Sequence, residues 1–323
     1  MATYLVTGAA GFIAARTTEM LLDAGNTVVG VDNLNDYYDV RVKQHRLAPL
    51  LARPRFSFVQ ADIEQMPAIA PLFAQHRFDA VVNLAARAGV RYSILNPHVY
   101  LTTNITGTVN ILELMHRHGV KKHVMASSSS LYAGQAMPFT EDLPVNAPVS
   151  PYAASKKAAE MMAYTYHHLY QIDSTILRYF TVYGPAGRPD MSPFRFIKWI
   201  DEETPVELFG DGTQARDFTY VDDIARGTIA ALKPSGYEII NLGGGRNPVR
   251  LTTLIAKLEV LLGKTARFDR KPFHLADVKE TWADISKAKR LLGWQPEIGL
   301  DEGLRRSVAW YRENKSWLKD VRL

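Results

Sequence analysis

Apolar positions along the chain form short runs separated by longer segments of helical period. Strand-like runs at 3–7, 27–31, 55–59, 79–84, 121–127 and 173–180 alternate with helical patterns at 12–25, 67–76, 98–118 and 152–171. This alternation predicts parallel strands with right-handed crossovers, an α/β fold on a doubly wound sheet of Rossmann type. A further short helix is expected near 41–52. After Tyr183-Gly-Pro185, glycines and prolines at 184–193 break the regularity. A helix at about 193–201, a short strand at 206–209, a helix over Thr219–Leu232 and a strand over Glu238–Leu242 follow, then helices at 251–263, 286–292 and 301–314. The strand ending at Leu242 is expected to rejoin the main sheet. A second, smaller α/β domain is therefore discontinuous: 1–181 with about 219–243 forms one domain, and about 182–218 with 244–323 the other.

Helices 98–118 and 152–171 are apolar over more than one face, through Ile105, Val109, Ile111, Leu112, Leu114 and Met115 in one and Ala153, Ala158, Met161, Met162, Tyr166 and Leu169 in the other. A helix lying on one sheet needs a single stripe. The excess points to self-association, a homodimer, with deeper burial in the monomer as the other explanation.

With 323 residues, 47% of them hydrophobic, the chain buries one large core and a smaller one. No apolar run reaches the ~20 residues of a membrane span, and no signal-peptide pattern opens the sequence. No membrane partner is expected. The absence of cysteine excludes disulfides and thiolate chemistry and fits a reducing, cytoplasmic setting. The net charge of +5 is dispersed, with Lys121-Lys122-His123 and Arg305-Arg306 as its densest spots. That distribution suits polyanionic small ligands better than nucleic acid. The nine histidines show no metal-ligand spacing, so no metal is expected.

Two segments carry chemistry. The run Thr3–Val6 leads into Gly8-Ala-Ala-Gly11-Phe12-Ile13, a helix, and a second strand ending in Asp32. Glycines at a strand-to-helix turn let the backbone approach a pyrophosphate seated on the helix N-terminus. An acid closing the second strand takes ribose hydroxyls and repels a 2′-phosphate, which selects NAD over NADP. Downstream, Tyr152 and Lys156 are four residues apart, on one face of a helix. An ammonium roughly 5 Å from a phenolate stabilises it by ~3 kcal/mol at an effective dielectric of about 20, bringing the phenol towards use as a base near neutral pH. The run Ser127–Ser130 offers a hydroxyl for the same substrate oxygen.

Together, Thr7-Gly8-x-x-Gly11-Phe12-Ile13, Asp62, Leu84-Ala85-Ala86, the serine run and Tyr152/Lys156 resemble the extended branch of the short-chain dehydrogenase/reductase superfamily, from residue 3 to about 312. Within it, Asp32-Asn-Leu-Asn-Asp-Tyr-Tyr-Asp39, Ala88-Gly-Val-Arg-Tyr-Ser93, Asn96-Pro-His and Arg178-Tyr-Phe-Thr-Val-Tyr-Gly-Pro185 with Arg188-Pro-Asp-Met191 resemble UDP-glucuronate 4-epimerases. The resemblance implies NAD held by Gly8, Gly11, Phe12, Ile13, Asp32, Asn33, Asp62, Ile63, Leu84, Ala85, Ala86 and Asn104, with Tyr152 and Lys156. It gives Tyr152, Lys156 and Ser128 the catalytic roles, and makes the substrate a UDP-sugar. It also implies dimerisation through the two broadly apolar helices. Arg216, in Asp211-Gly-Thr-Gln-Ala-Arg216, matches a diphosphate clamp, and Asp277 a ribose-contacting acid. His274 and Ala276 depart from the family there. Ala14 replaces the last glycine of the turn, and Arg16 stands where an altered pyrophosphate contact is expected.

The residues beside Ser128 separate the outcomes of C4 oxidation. Related dehydratases carry Asp-Glu at 129–130 and decarboxylases Glu at 130, whereas this chain has Ser129-Ser130. Hydroxyls bind a C5 carboxylate without like-charge repulsion. Ser129, Ser130, Thr181 and Arg188, with Arg91, form the expected carboxylate-binding set. The expectation is C4 epimerisation of UDP-glucuronate to UDP-galacturonate. UDP-glucose 4-epimerase, UDP-glucuronate decarboxylase and a non-catalytic NAD-binding regulator stay open as alternatives.

Overall fold

The computed structural model describes residues 1–246, 248–273 and 278–323. Its main sheet contains β1 (Thr3–Thr7), β2 (Thr27–Asp32), β3 (Phe56–Gln60), β4 (Ala80–Asn83), β5 (Lys122–Ser128), β6 (Asp173–Tyr179) and the strand Tyr237–Leu242. All are parallel, in the spatial order Tyr237–Leu242, β6, β5, β4, β1, β2, β3. Strand direction alternates side chains between faces, and here both faces are buried. Val6, Val28, Val82, Val124 and Leu177 pack with Ala14, Ala15, Leu21 and Ile224 of one helical layer. Their neighbours Leu5, Val29, Val81, Met125 and Ile176 pack with Ile69, Leu72, Ile111, Met115, Ala159 and Ala163 of the other. Continuous β-branched runs are the sequence form of such a sheet.

A third core gathers Phe194, Ile197, Ile200, Val206, Leu208, Leu254, Leu258, Leu304, Val308 and Tyr311. It lies under the helices Ser192–Asp201, Leu251–Leu262 and Leu300–Leu318. Small strand pairs accompany it: 181–183 with 218–220 at its junction with the main sheet, and 206–209 with 268–271 and 215–216 with 249–250 within it. The strands at 181–183 and 268–271 were not expected from the pattern; the first is only three residues long and the second is exposed at alternate positions.

Two helices differ from expectation. Residues 98–118 form a short turn, a π-helical segment Leu101–Thr106 and the α-helix Gly107–His118. At Gly107 a Cβ would lie 2.6 Å from Ile63 Cδ1, so the glycine allows close approach just where the helix changes winding. The segment Thr219–Leu232 opens with strand residues, and its helix spans Val221–Ala230. No helix among the described residues is long and apolar enough to cross a membrane.

Candidate active site

The strand order reverses between β1 and β4, where the crossovers diverge and open a crevice at the strands' carboxyl ends. A cleft of about 720 Å³ occupies it and continues along Thr181, Arg188, Arg195, Phe209 and Arg216. Gly8 and Gly11 form its floor. Gly8 has φ +71°, and a Cβ there would lie 2.9 Å from the Ala85 backbone; a Cβ on Gly11 would lie 2.8 Å from the Gly8 carbonyl oxygen. The turn is therefore a cradle that side chains would fill, followed directly by the helix Phe12–Asp23. Asp32, at the end of β2, accepts from the backbone N–H of Ala10 (3.1 Å) and of Leu34 (2.8 Å). Asn33 donates to Asp62 at 2.7 Å, joining the ends of β2 and β3. Phe12, Ile13, Asn33, Asp62, Ile63, Leu84, Ala85 and Ala86 all line the cleft with them. This donor and acceptor set fits an adenine dinucleotide without a 2′-phosphate.

Asn104 is a correction. It is absent from the cleft wall and buried, donating to the Arg87 carbonyl (3.0 Å) and Ser155 Oγ (2.8 Å) and accepting from the Arg87 N–H (2.9 Å). It shapes the loop after β4 from behind. Arg16 likewise turns away, pairing with Asp222 at 2.8 Å and Glu19 at 2.6 Å, so it clamps two helices together and does not line the cleft.

Ser128 ends β5, and Tyr152 and Lys156 lie in the first turns of the helix Pro151–Tyr170. Ser150 caps that helix by accepting from Ala153 N–H, and Pro151 occupies its first position. All three reactive side chains reach the cleft. Burial raises the Tyr152 phenol above its ordinary range, opposed by a hydrogen bond with Ser128 and by the charge of Arg188. Lys156 donates one of its three N–H groups to the Ala126 carbonyl at 2.9 Å. Burial drives Lys156 down to about 8, with Glu160 opposing.

Ser129, Ser130, Thr181, Arg188, Arg91 and Arg216 also line the cleft. Ser130 donates its backbone N–H to Ser128 Oγ at 3.1 Å. Arg188 makes a two-point ion pair with Asp190, 3.0 Å and 2.5 Å, beneath the rings of Tyr37 and Tyr38. Arg91 stacks 3.7 Å over the Phe209 ring, and Arg216 donates to the carbonyls of Ala215 and Lys279. Asp277, with His274 and Ala276, lies outside the described residues.

Sequence reasoning missed several wall residues. Lys43 lies 4.0 Å from Asp32; burial pushes it down to about 8, the carboxylate opposing, with Arg87, Arg46 and Arg188 pressing the same way as burial. Arg195 pairs with Glu207 at 2.9 Å. Behind the wall, the buried Tyr100 ring meets that of Tyr152 edge-on. Tyr37 and Tyr38, in the segment from Asp32 to Asp39, and Asp190, in Arg188-Pro-Asp-Met191, line the cleft within segments that did carry a signal.

A family model for the NAD dependent epimerase/dehydratase family matches residues 4–243. The chain belongs to this family. It is 61% identical, over the full length of both chains, to a UDP-glucuronate 4-epimerase of Thermodesulfobacterium geofontis. Its fold matches the crystal structure of a UDP-glucuronic acid 4-epimerase from Bacillus cereus in complex with UDP-glucuronic acid and NAD, with a TM-score of 0.90 and 38% identity, covering 97% of this chain and 99% of that one. It also matches a UDP-glucose 4-epimerase from Thermotoga maritima with UDP-glucose, TM-score 0.88 and 32% identity, with the same coverage. The epimerase fold and the dinucleotide crevice are thus family features.

Proposed function

We propose that the protein epimerises UDP-glucuronate at C4, giving UDP-galacturonate, with NAD as resident cofactor. The observation that carries this reading is the meeting, in one cleft, of the Ser128/Tyr152/Lys156 set with a wall of neutral hydroxyls and a guanidinium: Ser129, Ser130, Thr181 and Arg188. NAD, when bound, supplies the hydride acceptor and donor. Tyr152 takes the proton of the C4 hydroxyl and later returns it, and Ser128 holds the same oxygen. Lys156 stabilises the phenolate and the cofactor ribose.

The resulting 4-keto uronate is a β-keto acid, which loses CO₂ when its carboxylate bond aligns with the carbonyl π system. Ser129, Ser130 and Thr181 can bind the carboxylate without adding an acid. Arg188 must share or exchange its Asp190 partner to do so. Turning the keto sugar over before hydride return inverts C4.

Residues 182–218 and 244–323 act as the nucleotide-sugar lobe, with Arg216 on the diphosphate. Asp32 supports NAD over NADP. The enzyme works as a cytoplasmic homodimer; Leu101, Met161, Tyr164 and Leu169, on the two helices named above, are exposed apolar side chains that a partner copy would cover.

The test is proton NMR of UDP-glucuronate incubated with the purified protein and no added cofactor. UDP-galacturonate with little UDP-pentose is expected. Equal turnover of UDP-glucose, or UDP-pentose as main product, would assign one of the alternative activities.

A further inference from the structure

Arg46, on the helix Val40–Leu51, is buried among the chain's own polar groups. Its Nε donates to the Ala186 carbonyl at 2.8 Å and Nη2 to the Gly187 carbonyl at 3.0 Å. Its Nη1 donates to the Ala10 carbonyl at 3.2 Å and to the Tyr38 hydroxyl at 2.7 Å. The guanidinium also lies 5.6 Å from the Phe12 ring centroid and 5.5 Å from that of Tyr38. One side chain thereby joins three segments: the glycine turn, the tyrosine loop after β2, and the loop 184–190.

That last loop has an unusual backbone. Gly184 has φ 151°, and Ala186, a residue with a Cβ, has φ 52°. A left-handed alanine persists only where its surroundings hold it. Two of Arg46's bonds fall on the carbonyls of Ala186 and Gly187, at the strained step itself. Arg188 follows immediately, its guanidinium 5.6 Å and 5.9 Å from the ring centroids of Tyr37 and Tyr38. A guanidinium has five donors in a rigid plane, so it can hold several carbonyls in fixed relation as a lysine cannot.

We infer that Arg46 is a positioning residue that locks the loop 184–190 to the glycine turn and so sets where Arg188 meets the substrate carboxylate. The inference rests on the carboxylate role proposed above for Arg188. It explains why a helix in the first domain carries a buried cation that touches neither reactive side chain. It also gives the cofactor turn and the sugar-binding loop a common anchor.

The experiment compares Arg46→Met, Arg46→Lys and Arg188→Ala with the unaltered enzyme, all in the NAD-bound form. It measures KM for UDP-glucuronate, the UDP-pentose fraction, bound NAD and Tm. Loss of charge-assisted bonds to the loop predicts a roughly tenfold higher KM for Arg46→Met and a pentose fraction that rises in the same direction as in Arg188→Ala. Arg46→Lys should recover only part of the change. If Arg188→Ala alters product partition and Arg46→Met leaves KM and partition as they were, the inference falls and the carboxylate reading stands, whatever happens to Tm or NAD content. If Arg188→Ala itself leaves both unchanged, the carboxylate reading fails and takes the inference with it. Should Arg46→Met not fold, Arg46→Lys gives the same two readouts: unchanged KM and partition overturn the inference.

Discussion

Glu160 and Arg178 form an ion pair in which each side chain is only 1% exposed. Arg178 Nε and Nη2 donate to the two Glu160 oxygens at 2.9 Å and 2.8 Å, Ser127 Oγ donates to Glu160 at 2.7 Å, and Arg178 Nη1 donates to the Tyr132 hydroxyl at 2.7 Å. The pair joins β5, β6, the turn after Ser128 and the helix that carries Tyr152 and Lys156. Glu160→Gln would leave a buried guanidinium without its counter-charge. Breaking one side of such a pair costs roughly 3–5 kcal/mol. Over 323 residues, an unfolding entropy of about 2.1 cal/mol/K per residue gives about 0.68 kcal/mol/K. The Tm of Glu160→Gln should therefore fall by about 4–7 °C, read by calorimetry at fixed NAD concentration. Arg178→Met should lose a similar amount. The double variant removes both charges and should lose clearly less than the two single losses added. A single-variant shift within 1 °C, or strict additivity in the double variant, would refute the reasoning.

Tyr152→Phe should lower turnover by several orders of magnitude while bound NAD, assayed after acid release, stays as in the unaltered enzyme. Gly8→Ala should reduce NAD content and stability together, because its backbone has φ +71° and a Cβ would lie 2.9 Å from Ala85; unchanged NAD retention would contradict the cradle. Burial pushes Lys156 from 10.5 down to about 8, so in NAD-free protein the cost of the buried ammonium is full below pH 8 and disappears as pH rises towards 10.5. Melting curves should thus show Lys156→Met gaining relative to the unaltered chain at pH 7 and losing that advantage by pH 10; a difference independent of pH would count against it. Arg188→Ala should weaken handling of UDP-glucuronate by tens-fold and raise the UDP-pentose fraction, checked by NMR of the products.

The sequence by itself determined the sheet, because paired apolar residues such as Leu5/Val6, Val81/Val82 and Ile176/Leu177 require a strand covered on both faces. It also located the dinucleotide turn and the Tyr152/Lys156 pair, since both depend on spacing within one turn or one helix. Neither the ion pair of Arg188 with Asp190 nor the approach of Lys43 to Asp32 follows from a local pattern. Their sign and strength depend on burial. The same holds for Lys156: spacing puts it on one helix face with Tyr152, but its bond to the Ala126 carbonyl and its lowered pKa come only from burial in the folded chain. Asn104 looked like a cofactor contact and proved to brace the wall from behind, because the winding of residues 101–106 sets which way it turns. Arg46 lies 140 residues from its partner Ala186 and had no signal in the sequence. Periodicity encodes which face of an element is buried; only the packed lobes decide which charges lose their water and which carbonyls they must satisfy.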